Sequence, residues 1–281
     1  MKYLDAINYG NKSLKLRNIQ TYNLDSELLL AKVLNCTREN LLINLHKNLE
    51  NKYFINFKKL IIRRMKFEPI AHIFKKKEFW KYKFNINKNV LIPRPETEII
   101  VDTILKLIDT ESSKSILDIG TGSGCLIISI IKERQKCNGI AIDISKKALK
   151  VAISNAKMHH LQNKIKFINI DIDKFVDYKY DFIVSNPPYI LKQKVYRLDD
   201  NVRLYEPHIA LDAGADGFRV IRKIILKSKH LLKTNGKLIF EIGKNQTEYS
   251  KHFLNMNGFY INKISKDINS IPRVIVSTKL N

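Results

Sequence analysis

Ser115-Ile116-Leu117-Asp118-Ile119-Gly120-Thr121-Gly122-Ser123-Gly124 decides the fold of this 281-residue chain. Its first residues have the short apolar character of a strand buried on both faces, and they run directly into a glycine-rich turn. Such a turn lets backbone N–H groups approach a ligand closely, at the positive end of the following helix. Gly120, Gly122 and Gly124 form it, and Thr121 and Ser123 offer hydroxyls. Asp143 ends the next apolar strand about twenty residues on, where an acid holds the two hydroxyls of an unphosphorylated ribose. The competing role for Asp143 is to cap the helix that begins at Lys146.

From Ser115 onward the hydrophobic pattern alternates between strand and helix. Strands are predicted at 115–118, 140–144, 165–170, 181–185 and 237–242, and helices at 125–134, 146–158, 217–232 and 246–256. Residues 259–264 and 274–278 read as a closing pair of strands. Repeated β-α units with apolar strands predict a mostly parallel sheet covered by helices on both faces.

The strand at 181–185 leads into Asn186-Pro187-Pro188-Tyr189. An Asn side-chain oxygen and a proline carbonyl can accept the two N–H hydrogens of a planar nitrogen. That orients the nitrogen and raises its electron density, while an aromatic face such as Tyr189 packs on the flat group. Prolines stiffen the loop and leave carbonyls without a competing N–H. NAD fits the glycine turn and Asp143 as well as S-adenosylmethionine does. A dehydrogenase has no use for an amide clamp at this place, so the pair of motifs predicts methyl transfer from S-adenosylmethionine to an sp2 nitrogen. Asp171 and Ile172 follow the third strand and are placed to border the adenine, the acid accepting from its exocyclic amine.

The N-terminal stretch reads as a small helical bundle. Asp25 is predicted to cap a helix carrying Leu28, Leu29, Val33 and Leu34, and Thr37 to cap a second carrying Leu41, Leu42 and Leu45. A third runs through Phe54, Phe57, Leu60, Ile61 and Met65. Between Glu78 and Pro93 the period shifts toward two, predicting a β-hairpin whose turn is Asn85 to Asn89. Pro95 and the acids around it mark a helix start, with a buried stripe of Ile99/Ile100, Thr103/Ile104 and Leu107/Ile108.

Composition bounds the partners. The net charge of +23 comes from 39 lysines and 11 arginines scattered along the chain. Arginine forks read phosphate and guanine best, so scattered lysine reads as compositional drift and direct nucleic-acid binding is not expected. Cys36, Cys125 and Cys137 form no CxxC pair and the histidines form no HExxH, which predicts no metal and a reducing, cytoplasmic setting. The longest apolar run, Cys125 to Ile131, is too short to span a bilayer, and no membrane partner is expected.

Together these segments resemble the bacterial release-factor glutamine methyltransferases, the HemK-type protein-(glutamine-N5) enzymes. The resemblance is carried by Asp25-Ser26-Glu27-Leu28-Leu29-Leu30, Glu68-Pro69-Ile70-Ala71-His72, Leu91-Ile92-Pro93-Arg94-Pro95-Glu96-Thr97-Glu98, the glycine turn, NPPY, and Glu206-Pro207 with Ala210-Leu211. It implies a class I S-adenosylmethionine-dependent methyltransferase fold, a Rossmann-like, mostly parallel mixed sheet with a small N-terminal helical bundle. It implies a helical recognition domain over 1–75, a hairpin linker over 76–93 and a catalytic domain over 94–281. The implied substrate is the glutamine of the Gly-Gly-Gln loop in class I peptide-chain release factors. A nucleic-acid amino-methyltransferase and a ribosomal-protein glutamine methyltransferase are the alternative readings. Asn186, Pro187 and Tyr189 are then the catalytic set, and Pro188 joins them in binding substrate. Gly120 to Gly124, Asp143, Asp171, Ile172 and Asn186 are the cofactor set. Two positions depart from the family pattern: Lys75-Lys76-Lys77 replaces a common glycine before the hairpin, and Ile172 replaces a common aromatic residue.

Overall fold

Apolar residues three and four apart fold the first part of the chain into helices: α1 (Tyr3–Lys15), α2 (Tyr22–Leu34), α3 (Arg38–Ile43), α4 (Asn51–Met65) and α5 (Ile70–Phe74). The structure, a computed structural model, describes residues 1–177 and 179–280. Tyr178 and Asn281, both within the expected 94–281 domain, lie outside the described residues. The chain divides into two units, one of residues 1–75 with 199–205, the other of 76–198 with 206–281.

In the first unit Leu14, Leu29, Leu30, Leu41, Phe57 and Ile61 form a closed core. Thr37 caps α3 as expected, its hydroxyl accepting the Asn40 N–H at 3.2 Å. Asp25 is not a cap. It lies inside α2, where Thr21 takes the cap position. Its buried carboxylate accepts from Arg64 Nε of α4 at 2.7 Å and from the Thr21 hydroxyl at 2.8 Å. The neighbouring residues of that motif are structural too. Ser26 packs so closely on Gly10 that a Cβ there would lie 2.7 Å from its Oγ, and Glu27 pairs with Arg38 at 2.6 Å.

The second unit opens with β1 (Lys76–Phe79) and β2 (Tyr82–Asn85), an antiparallel hairpin. Its turn is Trp80-Lys81, not Asn85 to Asn89, and 90–92 forms no strand. Trp80 takes a left-handed φ of 56° that an aromatic residue disfavours. Two acids hold it there: Glu98 accepts the Trp80 backbone N–H at 2.7 Å and Glu133 the indole N–H at 3.0 Å. Lys75 adopts φ 57° as the C-cap of α5, a left-handed conformation that glycine takes at less cost.

A short turn at Pro95–Thr97 starts α6 (Glu98–Leu107), whose buried face is Ile100, Val101, Thr103 and Ile104, while Leu107 points to solvent. There follow β3 (Ser115–Ile119), α7 (Cys125–Glu133), β4 (Asn138–Asp143), α8 (Lys146–Met158), β5 (Ile165–Asn169) and β6 (Tyr180–Ser185). The short helices α9 (Lys192–Val195) and α10 (Asp200–Arg203) come next, and then α11 (Arg219–Leu231), β7 (Leu232–Glu241), α12 (Thr247–Met256), β8 (Phe259–Lys266) and β9 (Pro272–Lys279). Among the described residues seven strands form one sheet in the order β5-β4-β3-β6-β7-β9-β8. Strands β5 to β7 pair in parallel, and β9 lies antiparallel between β7 and β8.

The period of two sends successive side chains to opposite faces. Ile116, Phe182, Val184 and Ile239 meet α6 and α7 through Ile100, Ile104 and Ile127. Leu117, Ile183, Leu238 and Phe240 meet α11 and α12 through Ile221, Ile225 and Leu254. The strand order reverses at β3, which has β4 on one side and β6 on the other, and ligands of open α/β sheets bind beyond the carboxyl ends at such a point. Both motifs read from the sequence leave the sheet there, with Ile119 of β3 in register with Ser185 of β6.

Candidate active site

A cavity of about 430 Å³ opens at this reversal. Of the expected cofactor residues, Gly120, Thr121, Gly122, Ser123, Asp143, Asp171, Ile172 and Asn186 line it, and Pro187 and Pro188 join them. Gly124 and Tyr189 are not in its wall.

Gly120 and Gly122 have φ of 73° and 57°. A Cβ on Gly120 would meet no atom within 4 Å, and one on Gly122 only the Gly120 carbonyl at 4.0 Å. A side chain there would therefore project into the open space that a ligand fills. The expectation that the turn's N–H groups reach a ligand is corrected in part. Gly120 and Thr121 both donate to the Ile142 carbonyl, Gly122 to Asp143, and Gly124 to the Thr121 carbonyl. Gly120 and Gly122 thus meet the cavity with their bare Cα surface. Gly124 has a different reason to be glycine, since a Cβ there would lie 2.9 Å from Ile128 Cδ1. The Thr121 hydroxyl also turns inward, donating to Asp118 at 2.7 Å.

Asp143 braces the turn from the neighbouring strand. Its Oδ2 accepts from Gly122 N at 2.9 Å and its Oδ1 from Ser145 N at 2.8 Å. The cap of α8 is Ser145, whose hydroxyl accepts the Ala148 N–H at 3.2 Å, so the competing capping role of Asp143 is taken by its neighbour. Burial pushes the Asp143 carboxyl above its usual range, against the pull of those two N–H groups. Asp171 Oδ1 accepts the Asp173 N–H at 3.0 Å, and Ile172 is buried between the cavity and the α11 side of the core.

At the other lip Asn186 Nδ2 donates to the Thr97 hydroxyl at 2.8 Å. Thr97 in turn donates to Glu241 Oε2 at 2.6 Å, and both Thr97 and Glu241 are buried. Glu206, also buried, accepts from Ile92 N at 3.0 Å and Arg94 Nη2 at 2.6 Å, fixing the segment that supplies Leu91 and Pro93 to the wall. Tyr189 lies behind this lip. Its ring sits over Gly243, where a Cβ would come within 2.9 Å of Tyr189 Cδ2, and burial pushes its phenol up to about 12.

Three residues escaped the sequence reading as site residues: Thr97, Asp118 and Glu241. Asp118 and Glu241 are single acids that directly follow apolar runs, Ile116-Leu117 and Leu238-Ile239-Phe240, which is their signal in the sequence. Burial raises the Asp118 carboxyl to about 7 and that of Glu241 to about 7. Thr97 lies inside the PRPETE segment, where nothing in the spacing distinguishes a hydroxyl that bridges Asn186 and Glu241.

Comparison with known proteins places this arrangement. A model described as PrmC N-terminal domain matches residues 5–74, and one described as Methyltransferase small domain matches residues 96–202. A bifunctional methyltransferase of Rickettsia typhi is 39% identical over 98% of this chain, which spans only 57% of that relative's length. The release factor glutamine methyltransferase of Caulobacter vibrioides is 33% identical over 95% of this chain and 92% of its own. That of Clostridium acetobutylicum is 35% identical over 99% of each. A methyltransferase from Pyrococcus furiosus shares the fold with a TM-score of 0.53 at 17% identity, over 70% of this chain and 89% of that one. The sheet and its helices are those of the class I S-adenosylmethionine-dependent methyltransferases, as the sequence predicted. With both parts matched and the Caulobacter and Clostridium enzymes aligned over nearly their whole length, the chain belongs to the release factor glutamine methyltransferase family.

Proposed function

We propose that this protein transfers a methyl group from S-adenosylmethionine to the side-chain N5 of the glutamine in the Gly-Gly-Gln motif of class I peptide-chain release factors. The observation that carries this reading is the state of Asn186. Its Nδ2 is committed to Thr97, which leaves Oδ1 as the acceptor for an N–H of a substrate amide at the cavity. The two prolines beside it stiffen the carbonyls that accept the second N–H.

The residues present fit S-adenosylmethionine. Gly120 and Gly122 leave the space of two side chains open to the cavity, and Asp143 stands at the end of the neighbouring strand for a ribose. When bound, the cofactor supplies an electrophilic methyl on a sulfonium. Asn186 and the Pro187 carbonyl orient the acceptor nitrogen in line with that methyl, so that much of the rate comes from positioning. No side chain becomes covalent. The methylated nitrogen is acidic enough to release its proton without a strong base, so no histidine is assigned to the chemistry. Tyr189 contributes by packing behind the lip. We take residues 1–75 as the part that recognises the release factor, 76–93 as the hairpin linker and 94–281 as the catalytic part.

Incubation of a release factor with this protein and S-adenosylmethionine should place one methyl on the Gly-Gly-Gln glutamine, read by peptide mass spectrometry. Label appearing mainly in nucleic acid would overturn the protein-substrate reading. Asp143→Ala should weaken S-adenosylmethionine binding by roughly 1–3 kcal/mol, the scale for hydrogen bonds to a charged group. Calorimetry with a far-UV circular dichroism control measures it, and unchanged affinity in a folded variant would remove Asp143 from the site.

A further inference from the structure

Three segments of the chain meet at one buried line of hydrogen bonds. Asn186 follows β6, Thr97 precedes α6 and Glu241 ends β7, so residues far apart in sequence converge. Asn186 Nδ2 donates to Thr97 Oγ1 at 2.8 Å and Thr97 Oγ1 donates to Glu241 Oε2 at 2.6 Å. Glu241 is 1% exposed and Thr97 is 3% exposed. A carboxyl sealed behind the apolar run Leu238-Ile239-Phe240 is costly to keep, and nothing in the methyl transfer itself uses it.

We propose that Thr97 and Glu241 are positioning residues that hold the Asn186 amide with its oxygen toward the acceptor nitrogen. The inference rests on the glutamine-methylation reading and specifies how that site is aligned. An Asn amide left alone can turn by half a rotation, exchanging an acceptor for a donor at the reacting centre. Thr97 prevents this because its single hydroxyl hydrogen is committed to Glu241. Its oxygen can then only accept, and only the Nδ2 end of Asn186 can face it.

The same line gives a direction in pH. The groups facing Glu241 are the Thr97 and Tyr189 hydroxyls, Arg273 and Glu96. Burial, helped by Glu96, raises its carboxyl to about 7, against Thr97, Arg273 and Tyr189. Above that range the carboxylate accepts from Thr97 and the amide is locked. Below it, the protonated acid can donate to Thr97, whose hydrogen is released toward Asn186 Oδ1, and the clamp loses its acceptor. The methylation kcat therefore falls as pH falls through about 7.

The test compares Thr97→Val, which keeps the shape and removes the hydroxyl, with Thr97→Ser, which restores the hydroxyl. Single-turnover methylation of saturating release factor across this pH range should be lower by about tenfold or more for Thr97→Val, on the scale of misplaced reacting groups. Its acid limb should be lost, its cofactor affinity should fall much less than its rate, and Thr97→Ser should recover both rate and limb. The wild-type protein supplies a reading that needs no variant to fold. The Asn186 side-chain amide signal in a 15N spectrum, identified by its absence in Asn186→Asp, should shift with pH through about 7. Wild-type methylation with Thr97→Val matching Thr97→Ser in rate and pH profile, or an Asn186 signal indifferent to pH, would overturn this inference alone. Wild-type protein that binds S-adenosylmethionine and leaves the glutamine unmethylated would overturn the functional reading, and this inference with it.

Discussion

Asn186→Ala should lower kcat for methylation of a release factor by roughly 10²-fold or more, the scale for removing one preorganised polar group from a reacting centre. Cofactor affinity should fall much less, because the lost group acts on the acceptor nitrogen. Asn186→Asp should fall between wild type and Ala. An aspartate still offers an oxygen to the substrate N–H, and its charge is attracted to a sulfonium. It cannot donate to Thr97, however, and it competes with Glu241 for the Thr97 hydroxyl hydrogen. Its charge also repels the carbonyl oxygen of the substrate glutamine. Single-turnover methylation beside cofactor binding measures both quantities. Near-wild-type turnover by the Ala variant would reduce Asn186-Pro187-Pro188-Tyr189 to a strand terminator.

Arg64→Met should destabilise the helical unit by about 3–5 kcal/mol, the cost of stranding a buried charge without its partner. The Asp25 and Arg64 side chains are only 6% and 9% exposed, so water cannot replace the lost bond, and the Thr21 hydroxyl alone remains. The double variant Asp25→Leu/Arg64→Met should recover most of that loss, since the desolvation of both charges is removed together. Urea denaturation followed by circular dichroism compares the three proteins. A single variant as stable as wild type would show that Asp25 is accommodated by means other than Arg64.

The sheet was legible because burial on two faces leaves a simple mark. Ile116-Leu117 and Phe182-Ile183-Val184 are apolar whichever way they point, and helices follow them at regular intervals. Residues whose roles depend on distant partners were not legible. Asp25 precedes an apolar helical pattern and so reads as a cap, but Arg64 is 39 residues away and no local rule connects them. The hairpin turn at Trp80 was missed for a related reason. Local preference does put a turn at Asn87 to Val90, but it follows the hairpin, whose own turn at Trp80 is held by Glu98 and Glu133. In the site, the glycines were found by type and spacing, while the destination of their N–H groups depended on the Ile142 carbonyl and Asp143 of the next strand. Tyr189 follows the same logic. Its place in the motif suggests a stacking face, while its contact with Gly243, from a strand end far along the chain, has no mark in the sequence.

The position of β9 bears on when this protein becomes functional during its own synthesis. Residues 272–279 insert between β7 and β8, although both of those strands are made before them. While the ribosome is still translating the preceding loop, β7 has a bare edge and β8 has no neighbour to pair with. Such an edge is an invitation to pairing with other chains. Glu241 stands opposite Val274 in the finished register, so its burial also waits for that late strand. A nascent chain stalled before Pro272 would hold the glycine turn, Asp143 and Asn186-Pro187-Pro188-Tyr189 and still lack the strand that pairs beside Glu241.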